Sequence, residues 1–274
     1  MLSVPVVSAD WLADHLDDPQ VAIADCRFAL TDPALGRQQY AAAHIPSAYY
    51  FDLNQNLSSP VQQHGGRHPL PDPQVLATKL AEAGIRNDTL VVAYDDSRLA
   101  FAARFWWLLR YLGHDRVAVL DGGWQGWQAG NYPQTTIVPP PQTGEFTVNL
   151  QRDRVVDLET VKARQDGAVL VDAREAERYR GEREPIDPIA GHIPGAVNYP
   201  WQDATNAEGY LKSVPEQQQR WAEVQPAKEV LVYCGSGVTA CVNLLSLKLA
   251  GREGKLYAGS WSDWCSYLRL ETQD

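Results

Sequence analysis

The stretch Glu229–Gly251, EVLVYCGSGVTACVNLLSLKLAG, decides the reading of this chain. Val230–Tyr233 is a short β-rich apolar run of the kind that fits a buried parallel strand. Past a Gly-Ser-Gly break, Val238, Cys241, Val242, Leu245 and Leu249 recur at helical spacing and predict a helix with one apolar stripe. Cys234 therefore falls at a strand-to-helix turn, where open α/β sheets bind their ligands. Backbone amides of a glycine-rich turn at a helix start can converge on one concavity and favour an anion there. Such a turn suits a thiolate nucleophile, and Gly235 and Gly237 let the backbone curl while Ser236 adds a hydroxyl.

Working outward, the same pattern is written twice. VAIADCRFAL matches AVLVDAREAE, placing Asp25 over Asp172, and AAAHIPSAYYFDL matches IAGHIPGAVNYPW, placing His44 over His192. LVVAYDDSRLAFAARFWWLLRYLG matches the opening stretch and sets Asp95 over Cys234. LDGGWQGW matches YAGSWSDW, pairing Trp124 with Trp261 and Trp127 with Trp264. A unit this long is a duplicated domain rather than a solenoid repeat. Each half alternates short apolar runs with helical patterns, which predicts an α/β fold with a mainly parallel sheet flanked by helices. The expected division is a first domain over 1–135, a proline-rich linker over 136–153 and a second domain over 154–274. Three consecutive prolines, Pro139 to Pro141, favour an extended linker. A carboxylate cannot serve as a thiol nucleophile, so Asp95 makes the first domain catalytically inactive.

Composition sets wider bounds. The chain has 274 residues, 45% hydrophobic and 21% charged, as in a soluble globular protein with a sizeable core. A formal net charge of −10 argues against general nucleic-acid binding. No apolar run approaches the length of a membrane helix, and the opening MLSVPVVSADWLADHL reads as an amphipathic helix rather than a secretory signal. The four cysteines show no metal-ligand spacing and no disulfide framework, so a cytoplasmic protein with no metal and no cofactor is expected.

The motifs CGSGVTA, HIPGA, YRGE and YAGSW, with the duplication, resemble the two-domain sulfurtransferases of the rhodanese superfamily, and the resemblance covers nearly the whole chain. It implies two tandem rhodanese-like domains with the active cysteine in the second. The CGSGVT loop is similar to that of 3-mercaptopyruvate sulfurtransferases, whereas thiosulfate-preferring relatives tend to carry basic loop side chains. The resemblance implies that Cys234 attacks the sulfur of a small anionic donor, releases pyruvate and holds a persulfide cradled by Gly235, Ser236, Gly237, Val238 and Thr239. A thiol such as thioredoxin or a small thiol, or cyanide in an assay, then takes the sulfur. Arg178 aligns with the family's substrate-binding arginine, since a guanidinium suits a carboxylate. The family's second arginine has no counterpart in REPIDPIAGHIPG, where Arg183 is nearest. A proton relay to the loop serine implies His68 as its histidine, with Asn54 standing where the family has an aspartate.

Plainer readings accompany these. Cys241 fits a core position, and His44 and His192, in identical HIP contexts, point to a shared structural role. The tryptophan pairs fit helix-on-sheet packing. The polar loop His64–His68 leans toward the site, because Arg67 would add positive charge near an anionic substrate. A rhodanese-like phosphatase needs an arginine six residues after its cysteine, where Ala240 stands. Thiosulfate sulfurtransferase is the alternative, ahead of a non-catalytic binding module.

Overall fold

The computed structural model describes residues 5–271. Strands β1 (Val6–Val7), β2 (Val21–Asp25), β3 (Ala48–Tyr50), β4 (Leu90–Tyr94) and β5 (Val117–Leu120) form one sheet in the order β1-β5-β4-β2-β3. Strands β6 (Val155–Val156), β7 (Ala168–Asp172), β8 (Val197–Asn198), β9 (Glu229–Tyr233) and β10 (Lys255–Tyr257) repeat it as β6-β10-β9-β7-β8. Every pairing is parallel. The two sheets are the duplication written in hydrogen bonds. Central parallel strands are covered on both faces, which is why LVVAY and EVLVY are continuous runs rather than alternating ones.

The aligned residues do the same work in each unit. Asp25 and Asp172 end their strands buried, each gripped by the arginine two residues on, Arg27 and Arg174, at 2.6 Å. Each arginine also donates to the carbonyl just before the HIP turn, Ala43 or Gly191, at 2.7 Å. It lies as well over a tryptophan, Trp124 at 4.3 Å or Trp261 at 4.9 Å. His44 Nδ1 meets the Tyr40 carbonyl at 2.7 Å and His192 Nδ1 meets that of Tyr179 at 2.8 Å. A carbonyl only accepts, so both rings carry the Nδ1 proton and fasten the turn to the preceding helix.

The helix after the cysteine, Ala240–Leu249, departs from the one-stripe expectation: every residue in it except Lys248 is buried. Its polar members are satisfied inside. Asn243 Nδ2 donates to the Tyr199 carbonyl and Asn243 Oδ1 accepts from Arg220, both at 2.8 Å, while Ser246 Oγ accepts from Trp221 Nε1 at 2.8 Å. A helix wrapped on all sides shows no strong stripe.

By contacts, one compact unit runs up to Ser59 and adds Pro71–Gln151 and Thr205–Leu211. The other comprises Pro60–Leu70, Arg152–Ala204 and the chain from Lys212 onward. The expected boundaries followed chain order and differ at three places. The proline-rich segment is extended and stays with the first unit as far as Gln151, through Gln142 N to the Glu82 carbonyl at 2.7 Å and Asn149 N to that of Leu112 at 2.9 Å. Residues 205–211 belong there too, held by Arg98 on Thr205 Oγ1 at 2.7 Å and by the Leu211 N–H on Asp121 Oδ1 at 2.8 Å. Residues 60–70 belong to the second unit, which matters for the site.

Candidate active site

Strand β9 delivers Cys234 to the carboxyl end of the second sheet, in its centre. The backbone of Cys234 is pinned on both sides. Its N–H donates to Ser260 Oγ at 3.1 Å, and its carbonyl accepts from the Trp261 N–H at 3.0 Å. Ser260 is buried with φ at 57°, a left-handed conformation uncommon outside glycine, and the first unit has Gly123 with φ at 53° in its place. The strain at Ser260 is tied to a job: its hydroxyl also donates to the Tyr257 carbonyl at 2.9 Å and so locks the cysteine's peptide to the next turn. Sequence reading overlooked this residue, whose only signal is the Ser in AGSW. Gly237, with φ at 76°, lies so near the Ala258 carbonyl that a side chain has no room. Val238 is buried and Thr239 half-buried.

The segment 60–70 docks on this turn. Arg67 N donates to Ser262 Oγ at 3.1 Å, Gly65 N to Asp263 Oδ1 at 2.7 Å, and His64 Nδ1 meets Ser266 Oγ at 2.7 Å. These bonds place two side chains at the cysteine loop. Buried His68 shares a 2.7 Å hydrogen bond between its Nδ1 and Ser236 Oγ. Arg67 comes over Gly235, whose missing β-carbon would lie 3.0 Å from Arg67 Nη2 and 3.6 and 3.7 Å from Arg178 Nη2 and Nη1. Gly235 thus leaves space for two guanidiniums beside the cysteine. Burial lowers the Arg67 pKa; the neighbouring Cys234 side chain counters this and Arg178 reinforces it.

Behind the arginines runs a continuous line of buried charge. Asp172 holds Arg174, and Arg174 Nη1 reaches Glu184 Oε2 at 3.1 Å. Arg178 takes Glu184 with Nη2 at 2.7 Å and Nε at 3.2 Å, and meets Asp187 Oδ2 with Nη2 at 3.1 Å. The other oxygen of Asp187 is paired with Arg67 Nη1. Glu184 also accepts the N–H groups of Ile186 and Asp187, so it shapes the turn that carries its neighbour. Sequence reading pointed to Arg183, which is exposed, and passed over Glu184 and Asp187 beside it. The second guanidinium over Gly235 beside that of Arg178 is Arg67, from a loop far away in the chain. Asn54 is exposed in the first unit.

The other cysteines are buried. Cys241 and Cys265 are fully buried, and burial together with the charges of Asp25 and Asp95 pushes the Cys26 thiol well above its ordinary range.

The first unit's equivalent turn makes the loop's purpose visible. Asp95 follows β4 as Cys234 follows β9, with its carbonyl accepting from the Trp124 N–H at 2.8 Å. Its carboxylate collects four backbone N–H groups, from Ser97, Leu99, Phe101 and Ala102, at 2.8 to 3.0 Å. The turn therefore converges on an anion, and in this unit the anion is a resident side chain. Burial outweighs the four amides and raises the Asp95 pKa to about 6. Asp95→Ala leaves those donors buried without an acceptor, and a loss of about 3 kcal/mol in urea unfolding is expected. The folded value lies above the ordinary carboxylate value of about 4, so the folded chain takes the proton first. Stability from this group is therefore full below about pH 4 and is lost as pH rises through about 6, so the deficit of Asp95→Ala should widen on acidification from neutrality.

Comparison with known proteins agrees with this anatomy. The rhodanese-like domain family matches residues 8–130 and 157–267. A relative from Pseudomonas aeruginosa named "Probable 3-mercaptopyruvate sulfurtransferase" is 45% identical over 272 residues, covering 96% of both chains. A Mycobacterium tuberculosis relative, SseB, whose name refers to thiosulfate sulfurtransferase, is 37% identical over 91% of this chain and 89% of its own. The crystal structure of SseA from Escherichia coli, described as a 3-mercaptopyruvate enzyme with the rhodanese fold, is 36% identical. It superposes with a TM-score of 0.80 over 95% of this chain and 100% of its own. Two parallel five-stranded sheets, a cysteine-bearing turn and near-complete coverage by these relatives lead to one conclusion: the chain belongs to the rhodanese family, with two rhodanese-like domains.

Proposed function

We propose that the chain is a sulfurtransferase that moves a sulfane sulfur from 3-mercaptopyruvate to a thiol through a persulfide on Cys234. The observation that carries this reading is the pair of guanidiniums facing Gly235, one residue past Cys234, with the Ser236–His68 hydrogen bond beside them. The donor's carboxylate sits on the Arg67 and Arg178 edges, which brings its sulfur to Cys234. The Cys234 thiolate attacks that sulfur; an S–S bond forms, the C–S bond breaks, and pyruvate leaves as its enolate. The proton of the new persulfide passes to the enolate carbon, and Ser236 with His68 is positioned to conduct it. The persulfide anion rests on the amides of Gly235 to Thr239, as the Asp95 carboxylate does on the equivalent turn. An acceptor thiol, of thioredoxin or a small molecule, attacks the outer sulfur, leaves as its own persulfide and returns Cys234 to thiolate. The setting proposed is the cytoplasm; among the described residues no helix is long and apolar enough to cross a membrane.

Thiosulfate is the second donor reading, favoured by the likeness to the SseB relative whose name refers to thiosulfate sulfurtransferase. The experiment that separates the readings is the measurement of kcat/KM for both donors on the purified protein. The expected result is a higher value for mercaptopyruvate, with pyruvate released in step with persulfide formation. A higher value for thiosulfate would reverse the donor assignment.

A further inference from the structure

We propose that Asp187 sets the charge selectivity of the donor site: by bridging Arg67 and Arg178 it tunes the site to a singly charged donor and against a doubly charged one. This rests on the sulfurtransferase reading of the same site. The charges behind Cys234 come in equal number. Arg67, Arg178 and Arg174 face Asp187, Glu184 and Asp172 in one connected line. The Asp187 side chain is 1% exposed and that of Glu184 3%, so water does little to screen them, whereas Arg67 is 32% exposed. Asp187 takes Arg67 Nη1 and shares Arg178 Nη2 with Glu184, while Arg67 Nη2 and both Nη atoms of Arg178 lie over Gly235. A donor thus finds N–H groups to bind but no net positive charge. One negative charge is tolerated through these hydrogen bonds. A second must approach a buried carboxylate of its own sign, without compensation. A 3-mercaptopyruvate carboxylate brings one charge and thiosulfate brings two.

Asp187→Asn keeps the shape of the side chain and removes one negative charge. The expected result is a rise of about tenfold in the ratio of kcat/KM for thiosulfate to that for mercaptopyruvate, shrinking as salt is raised. Asp187→Glu should keep the native ratio. Arg67→Gln, which shifts the balance the other way at a partly exposed position, should lower the ratio and serves if Asp187→Asn does not fold. Calorimetric affinities for sulfate and pyruvate, a dianion and a monoanion that need no turnover, should change in the same sense in each variant. Parallel loss of both efficiencies with an unchanged ratio would reduce Asp187 to a scaffold and overturn the proposal, as would a ratio that falls in Asp187→Asn. A native protein that takes sulfur from neither donor would instead sink the activity, and the sulfate and pyruvate affinities would still decide the charge question.

Discussion

Cys234→Ser is expected to reduce sulfur transfer from either donor by at least about 1,000-fold, as loss of a covalent nucleophile does. The fold should survive, because the contacts that pin this position are made by its backbone: the N–H on Ser260 Oγ and the carbonyl under the Trp261 N–H. A serine hydroxyl is too weakly acidic to replace the thiolate and forms no persulfide. The other three thiols are buried. Cys26 is buried with its pKa pushed up, Cys241 points its sulfur at the Gly237 carbonyl at 3.5 Å, and Cys265 lies within the core of the second unit. Intact mass and peptide mapping after incubation with donor should place one added sulfur on the Cys234 peptide of the native chain and none on the variant. Sulfur mapped to Cys26, Cys241 or Cys265, with the serine variant still turning over, would move the chemistry elsewhere.

Much of this was legible in the chain because duplication turns one sequence into its own comparison. The pairs Asp25 with Asp172 and His44 with His192 named the strand ends and turns that the structure builds. The offset of Asp95 against Cys234 separated a turn filled by a carboxylate from one that bears a cysteine. Local pattern also gave the strand before Cys234 and the helix after it. What stayed hidden depends on contacts distant in sequence. No periodicity reports such pairings: that His68 meets Ser236 across 168 positions came only from the family resemblance, and that Arg67 meets Asp187 across 120 had no signal at all. The inward turn of the neighbouring carboxylates has a related cause. In REPID the arginine is exposed, as are Pro185 and Ile186, while Glu184 and Asp187 turn inward to the guanidiniums of Arg174, Arg178 and Arg67. A carboxylate that neutralises an anion site looks, in sequence, like any solvated charge.

Arg178→Ala is expected to lower kcat/KM for mercaptopyruvate by about 100- to 1,000-fold, or roughly 3–4 kcal/mol. Two effects add. The donor's carboxylate loses one of its guanidiniums, a charge-assisted pair. In addition, the Arg178 side chain is only 11% exposed and holds both Glu184 and Asp187, so its removal leaves two buried carboxylates facing the incoming anion. The carboxylate contact exists in the bound donor as well as in the transition state, so most of the loss should appear in KM. Arg178→Lys should recover only part, since an ammonium has no planar fork to meet both Glu184 oxygens while also reaching Asp187. The second half-reaction supplies the control. With Cys234 persulfide formed by inorganic polysulfide, discharge to an acceptor thiol should stay within a few-fold of native, because no donor carboxylate takes part in it. If discharge falls as far as donor efficiency does, Arg178 acts by holding the fold of the loop. If efficiency with both donors stays at the native level, the anion binds away from the arginines over Gly235.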